Sequence, residues 1–140
     1  MDLGTARILL TGGAGGIGGA IAEALLAKGA AVLLVDMNEL ALQRFVSERL
    51  AQYGDRVGTL SAHLTRADDR AQVSAQAQQF HGGINVLINN AGIMMPPYAL
   101  SEDGFESQLA ANYLGHFALT GRLLPLLEKG RLHSRQLVEL

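Results

Sequence analysis

Between a short apolar run, Arg7-Ile8-Leu9-Leu10-Thr11, and a stretch carrying Ile17, Ile21 and Leu25 at helical spacing lies the segment Thr11-Gly12-Gly13-Ala14-Gly15-Gly16-Ile17-Gly18. An apolar run, a cluster of glycines and then a helical period read as strand, tight turn and helix. Glycines at the opening of a helix narrow what that opening can be. Gly12 permits a sharp turn, Gly16 lets backbone approach a pyrophosphate, and Gly18 lets the helix lie close on a sheet. The free N–H groups and positive dipole end of the helix would then face the anion. Glycine also serves turns that hold no ligand, so the residues that follow decide the reading.

Those residues repeat the pattern. Gly29 closes the first helix, and Ala31-Val32-Leu33-Leu34-Val35 is continuously apolar, as a strand covered on both faces must be. Asp36 ends that strand, and a helix is expected at about Glu39–Leu50, a strand at Val57–Leu64 and a helix at about Ala67–Phe80. A further strand, Asn85–Asn89, follows Gly82-Gly83. The alternation implies one α/β domain over residues 1–140, a doubly wound parallel sheet of four to five strands with flanking helices and right-handed crossovers. The last third is mostly helical. Ser101 with Glu102-Asp103 reads as a helix start, and Phe105, Leu109, Tyr113 and Phe117 form a stripe at four-residue spacing. Pro125 is expected to kink this segment or divide it into two helices, and Gln136–Leu140 is a candidate fifth strand.

Composition removes several function classes. At 140 residues, 49% hydrophobic and 17% charged, the chain is globular and can bury about two-thirds of its unfolded surface. A formal charge of −2, with no clustering of its arginines and lysines, favours no phosphate-backbone partner, so nucleic acid is not expected. The absence of cysteine excludes disulfides, zinc–thiolate sites and thiol nucleophiles, and no metal is expected. No signal-peptide pattern and no bilayer-spanning apolar run are present, so the expectation is a cytoplasmic protein with no membrane partner.

Asp36 sharpens the ligand. It follows the glycine turn at about the twenty-residue spacing of an acid that accepts hydrogen bonds from an adenosine ribose. Its charge would repel a 2′-phosphate, and Met37-Asn38 supply no cation, so NAD is favoured over NADP. The bland alternative is that Asp36 caps the next helix. A phosphotransfer loop would need Lys-Ser/Thr after the last glycine, and Gly18 is followed by Gly19-Ala20.

With Asn89-Asn90-Ala91-Gly92 closing the fourth strand, the chain resembles the short-chain dehydrogenase/reductase family. That family joins a Thr-Gly-x-x-x-Gly-x-Gly turn, matched by Thr11, Gly12, Gly16 and Gly18, to an Asn-Asn-Ala-Gly segment. The resemblance implies a Rossmann-type dinucleotide domain. It places Asn90, Ala91 and Gly92 at the nucleotide, with Gly12, Gly16, Ile17, Gly18 and Asp36, and makes Asn89 a brace of the central sheet. A glycine-turn methyltransferase, the other fold with a strand-end acid, has no such segment. At the third strand's end, where the family usually has an acid for the adenine amine, this chain reads Ala62-His63-Leu64-Thr65, making His63 and Leu64 its adenine-side candidates. Asn112-Tyr113-Leu114-Gly115 resembles the family's Asn-x-x-Gly segment, whose Asn belongs to a catalytic tetrad and helps hold a relay water, so Asn112 is the one catalytic candidate. His116 is given no catalytic role.

The family's chemistry also uses a serine and a tyrosine followed four residues later by lysine, because a phenol of pKa about 10 needs a nearby cation to act as a base at neutral pH. Only Lys28 and Lys129 exist, preceded at that spacing by Ala24 and Pro125, and the dyad is absent in every register. The tail from Ser134 loosely resembles the stretch before the family's catalytic serine. The expectation is therefore an NAD(H)-binding portion truncated before that machinery, with little or no catalysis alone. Its last strand edge would be open, and the 102–127 helical segment could join two copies. The rival is a non-catalytic dimerisation or interaction module. A working enzyme with an unconventional or borrowed proton donor is a third possibility.

Overall fold

A computed structural model of the chain describes residues 2–136, with side chains as far as residue 130. After a short turn at Leu3–Thr5 come β1 (Arg7–Thr11), α1 (Gly16–Ala27), β2 (Ala31–Asp36) and α2 (Glu39–Phe45), whose wider-wound continuation runs over Val46–Leu50. Then follow β3 (Val57–Ser61), α3 (Ala67–Gln79) and β4 (Val86–Ile88). The last third is α4 (Ser107–Leu109), a π-wound stretch (Ala110–Leu114) and α5 (Gly115–Gln136).

The four strands form one sheet in the order β3-β2-β1-β4, every neighbouring pair parallel. Leu9 stands beside Leu33 and Leu87, and Leu10 beside Leu34 and Ile88. Side chains alternate between the faces of a strand, so each apolar run supplies two cores. Leu9, Leu33 and Val35 join Val73, Leu119 and Leu123 of α3 and α5 on one face. Ile8, Leu10, Val32 and Leu34 join Ala22, Leu26, Leu42 and Leu50 on the other. Helices thus cover both faces, as expected of the doubly wound class. Complete burial of one such leucine is worth about 1.5–3 kcal/mol. The order of strands reverses between β1 and β4, and in open parallel sheets the crevice at that switch, beyond the strands' carboxyl ends, is where ligands bind.

Three expectations need correction. The helix expected to start at Ser101 starts at Ser107, where the Glu106 carboxylate accepts the N–H groups of Gln108 and Leu109 at 2.9 and 3.0 Å. Ser101–Gly104 is instead a turn, with Gly104 at φ +82°, closed by the Gly104 N–H on the Ser101 carbonyl. Phe105 therefore precedes the helix rather than heading its stripe. Pro125 does not divide α5, which runs through it. Strands β3 and β4 are shorter than expected, ending at Ser61 and Ile88. Of the candidate fifth strand, Gln136 closes α5 and Leu137–Leu140 lie outside the described residues. Among the described residues, no helix is long and apolar enough to cross a membrane.

Candidate functional site

The chain leaves β1 at Thr11 and turns at once. Gly12 has φ +68°, and a Cβ there would lie 2.8 Å from the Ala91 Cα. The Gly12 and Gly13 amides donate to the Val35 carbonyl at 2.8 and 3.2 Å, which ties the turn to β2. A Cβ on Gly18 would fall on the Gly12 carbonyl oxygen, so only glycine lets α1 start this close to the turn. Helix α1 opens on Gly15 with no side-chain cap, and the amides of Gly16, Ile17 and Gly18 find no partner among the described residues. A Cβ on Gly16 would meet nothing within 4 Å. Beside this opening the large apolar side chain of Ile17 stands 74% exposed.

Across the switch point, β4 is fastened to the turn by polar groups. The Asn90 amide donates from Nδ2 to the carbonyls of Thr11 and Gly12 at 3.0 and 3.2 Å. The backbone amides of Asn90 and Ala91 both donate to Thr11 Oγ1, each at 3.0 Å. Asn89 Nδ2 donates to Thr120 Oγ1 of α5 at 3.0 Å. The Asn90 side chain thus braces β1 against β4, and Asn89 anchors the strand end to a helix.

Beyond the strand ends lies a cavity of about 280 Å³, near the low end of the roughly 300–1,000 Å³ usual for small-molecule sites. Val35, Asp36 and Met37 form one wall, Ala62, His63, Leu64 and Thr65 another, and Ala91, Gly92 and Ile93 a third, closed by Ser101, Ser107 and Ala111. Asp36 faces it with its oxygens accepting the amides of Ala14 and Asn38, each at 3.0 Å. Each carboxylate oxygen has a second acceptor site, so Asp36 keeps capacity for two further donors. It does not cap α2: Asn38 does, accepting the Ala41 amide at 3.0 Å. His63 is exposed, its backbone amide held by Asp69 Oδ2 at 2.7 Å and its Nδ1 3.4 Å from Thr65 Oγ1. Leu64 is buried. An exposed pair between Arg66 and Glu102, 2.7 Å apart, joins the start of α3 to the Ser101–Gly104 turn at the cavity rim. Exposed pairs of this kind are worth at most about 1 kcal/mol.

Asn112 sits exposed in the π-wound stretch with its amide bonded to the backbone of one residue. Its Oδ1 accepts the Ile93 amide and its Nδ2 donates to the Ile93 carbonyl, both at 2.8 Å. A pair of bonds to one residue's backbone fixes the segment after Gly92, and leaves the amide one proton and one acceptor site for a further partner. One turn later His116 is buried, with Nε2 3.2 Å from Thr11 Oγ1. Burial lowers its pKa below the usual histidine value, opposed in part by a hydrogen bond to the Asn112 backbone. Glu106, held by its two backbone donors, is also lowered and stays ionised into mild acid.

The structure therefore brings Gly12, Gly16, Ile17, Gly18 and Asp36 to one side of the switch point and His63, Leu64, Ala91 and Gly92 to the cavity, while Asn90 and Asn112 hold backbone. Sequence reasoning missed the junction made by the Thr11 hydroxyl, and the Ile93, Ser101 and Ser107 lining. The threonine preceding the glycines was the available signal for the first. The others depend on a loop that no periodicity describes.

Comparison with known proteins follows the same outline. The profile of the family described as "short chain dehydrogenase" matches residues 6–133. A "Probable oxidoreductase" of Streptomyces antibioticus is 41% identical over 120 residues, covering 85% of this chain and 40% of that protein. Polyprenol dehydrogenase of Mus musculus is 37% identical over 131 residues, covering 91% and 38%. The chain thus spans about two-fifths of the length of these curated relatives. Among solved structures, a short-chain dehydrogenase/reductase of Brucella melitensis, named glucose/ribitol dehydrogenase, superposes with TM-score 0.73 at 35% identity over 87% of this chain and 52% of the other. The 3-ketoacyl-(acyl-carrier-protein) reductase of Brucella melitensis, complexed with NADH, gives 0.78 at 24% identity over 94% and 54%, a likeness of fold alone.

Proposed function

This chain belongs to the short-chain dehydrogenase family, and from that premise we propose that it is the NAD(H)-binding portion of an oxidoreductase, with little or no turnover of its own. The observation that carries this reading is the opening of α1: three unpartnered amides, no side-chain cap, and clear space over Gly16. Such an opening suits a pyrophosphate, which the amides and helix dipole would stabilise. Asp36, with two acceptor sites spare, would take the hydroxyls of the adenosine ribose, and Ile17 would lose its exposure against the ligand. The slot between Leu64 and Ala91 would take the adenine, with His63 at its edge. Bound there, a nicotinamide cofactor supplies hydride transfer. Within these 140 residues no tyrosine stands four places before a lysine, so no proton donor of the family's kind accompanies it.

NAD is preferred over NADP in this reading because a 2′-phosphate would be set against the Asp36 carboxylate. Arg44 and Arg49, on the adjoining surface groove with Ala14 and Asn38, are paired with Glu48 at 3.5 Å and Glu23 at 2.8 Å. Calorimetric titration of the 140-residue chain with NAD and NADP tests the reading. Saturable NAD binding is expected, with NADP at least about tenfold weaker because unscreened like charges meet, and with Asp36→Ala removing most of the discrimination. No NAD binding at millimolar concentration would overturn it.

A second reading, a non-catalytic module that pairs with another copy, draws on the exposure of Leu109, Tyr113 and Phe117. Tyr113 and Phe117 stack with centroids 6.4 Å apart and present a flat apolar face. A concentration-independent monomer mass by light scattering would end it.

A further inference from the structure

The Thr11 hydroxyl has one hydrogen and two acceptor sites. Both acceptor sites are taken by the amides of Asn90 and Ala91, each at 3.0 Å. Its one hydrogen can go to the Ile88 carbonyl at 3.4 Å or to His116 Nε2 at 3.2 Å. The first distance lies outside the usual range for a hydroxyl donor, and the second is nearer to it. A bare Nε2 places the imidazole proton on Nδ1, and the Asn112 backbone, in the π-wound stretch one turn earlier, partly offsets the effect of burial on the ring. That tautomer satisfies the Thr11 hydroxyl, whereas a protonated Nε2 would point at an oxygen with no acceptor site left.

We propose that His116 is a positioning residue for the floor of the cavity: as the neutral imidazole bare at Nε2, it takes the Thr11 hydroxyl proton and so aims that oxygen at the amides of Asn90 and Ala91. The proposal rests on the preceding section only for what the cavity holds. Its consequence is acid sensitivity. An imidazolium competes with the two amides for one oxygen, and the β4 end loosens from the glycine turn. Burial acts in the same direction, favouring the neutral ring. Of the titratable groups with described side chains on the elements around it, Arg7 of β1, Asp68, Asp69 and Arg70 of α3, Glu106 before α4, Tyr113 of the π-wound stretch and Arg122, Glu128 and Lys129 of α5, none figures among the causes of its shift. The folded value lies below the unfolded one, so the unfolded chain binds the proton first. The contribution to stability is complete above the ordinary histidine range and declines as pH falls through it toward the folded value.

Nitrogen-15 NMR of the imidazoles in the 140-residue chain reads the tautomer directly, with His116→Gln identifying the resonance. A neutral ring protonated at Nδ1 at pH 7 is expected; protonation at Nε2, or an imidazolium at that pH, overturns the proposal. Hydrogen exchange supplies the second readout. Protection of the Asn90 and Ala91 amides should fall about fivefold, the size of one neutral hydrogen bond, as the ring titrates. In His116→Gln, whose side-chain carbonyl accepts but does not titrate, it should stay flat. A wild-type profile that is flat, or a variant profile that falls equally, overturns it. Neither measurement requires cofactor, so a failure to bind NAD would leave both interpretable.

Discussion

The two walls that meet at the cavity are held in opposite ways. On the wall made by the β1–α1 turn and the end of β4, polar groups are engaged several times over: Thr11 Oγ1 receives two amides, Asn90 Nδ2 serves two carbonyls, and Asp36 holds Ala14 and Asn38. The wall running from Met94 to Phe117 leaves large apolar side chains in water, with Met94 81%, Tyr98 80% and Phe117 72% exposed. Its bonds are mostly local, such as Glu106 on the Gln108 and Leu109 amides and the Ser107 amide on the Ala99 carbonyl, while Asn112 on Ile93 and Gln108 on the Met95 amide tie it to the loop after Gly92. The difference teaches that the junction between the glycine turn and β4 is closed by the chain's own described residues, whereas the second wall presents apolar surface that those residues do not cover.

Substitutions can break or sharpen that contrast. Leu33→Ala empties a fully buried position beneath the first wall, and should cost about 2–5 kcal/mol in urea denaturation. A smaller loss would mean that the sheet is less tightly packed than its burial indicates. Gly18→Ala forces a methyl against the Gly12 carbonyl. A loss of about 1–3 kcal/mol is expected, together with NAD binding lowered below detection; wild-type affinity in this variant would show that the close approach is dispensable. Asn112→Ala releases Ile93 on the second wall. The cost there should be only about 1 kcal/mol, since both bonds are exposed, and the diagnostic result is rapid exchange of the Ile93 amide. Smallest of all is Phe117→Ser, which should leave the urea midpoint within about 0.5 kcal/mol of wild type. A larger change would reveal that the second wall is covered in solution after all.

The same contrast governs how much could be read in advance. Strands β1 and β2 were legible because sheet strands covered on both faces are apolar throughout, and the glycine turn because its backbone geometry excludes other residues. Asn89 and Asn90 were legible as a pair but not individually: neighbours on a strand end point to opposite sides, and only the packed fold shows which one reaches Gly12. Ser101-Glu102-Asp103 carries every local sign of a helix start. Glu106 carries an equal one, and the choice is made by contacts outside the helix, the Ser107 amide on the Ala99 carbonyl and the bridge between Leu100 and Glu106. Pro125 was expected to interrupt α5. It lies on an exposed face with Gly121 one turn earlier, also exposed, so the carbonyl it leaves without a donor is open to water. The role of Asn112 was hidden for a different reason. Its partner Ile93 belongs to a loop whose path follows from where β4 ends, a tertiary fact.

The Asn90 side chain, bridging two consecutive carbonyls of the glycine turn, acts as a spacer that sets the gap between neighbouring strand ends before any guest arrives. A crevice whose width is fixed by its own scaffold spends little conformational freedom on capture. Encounter with a nucleotide should then resemble a key meeting a cut lock, a single rapid step with no slow closing phase behind it.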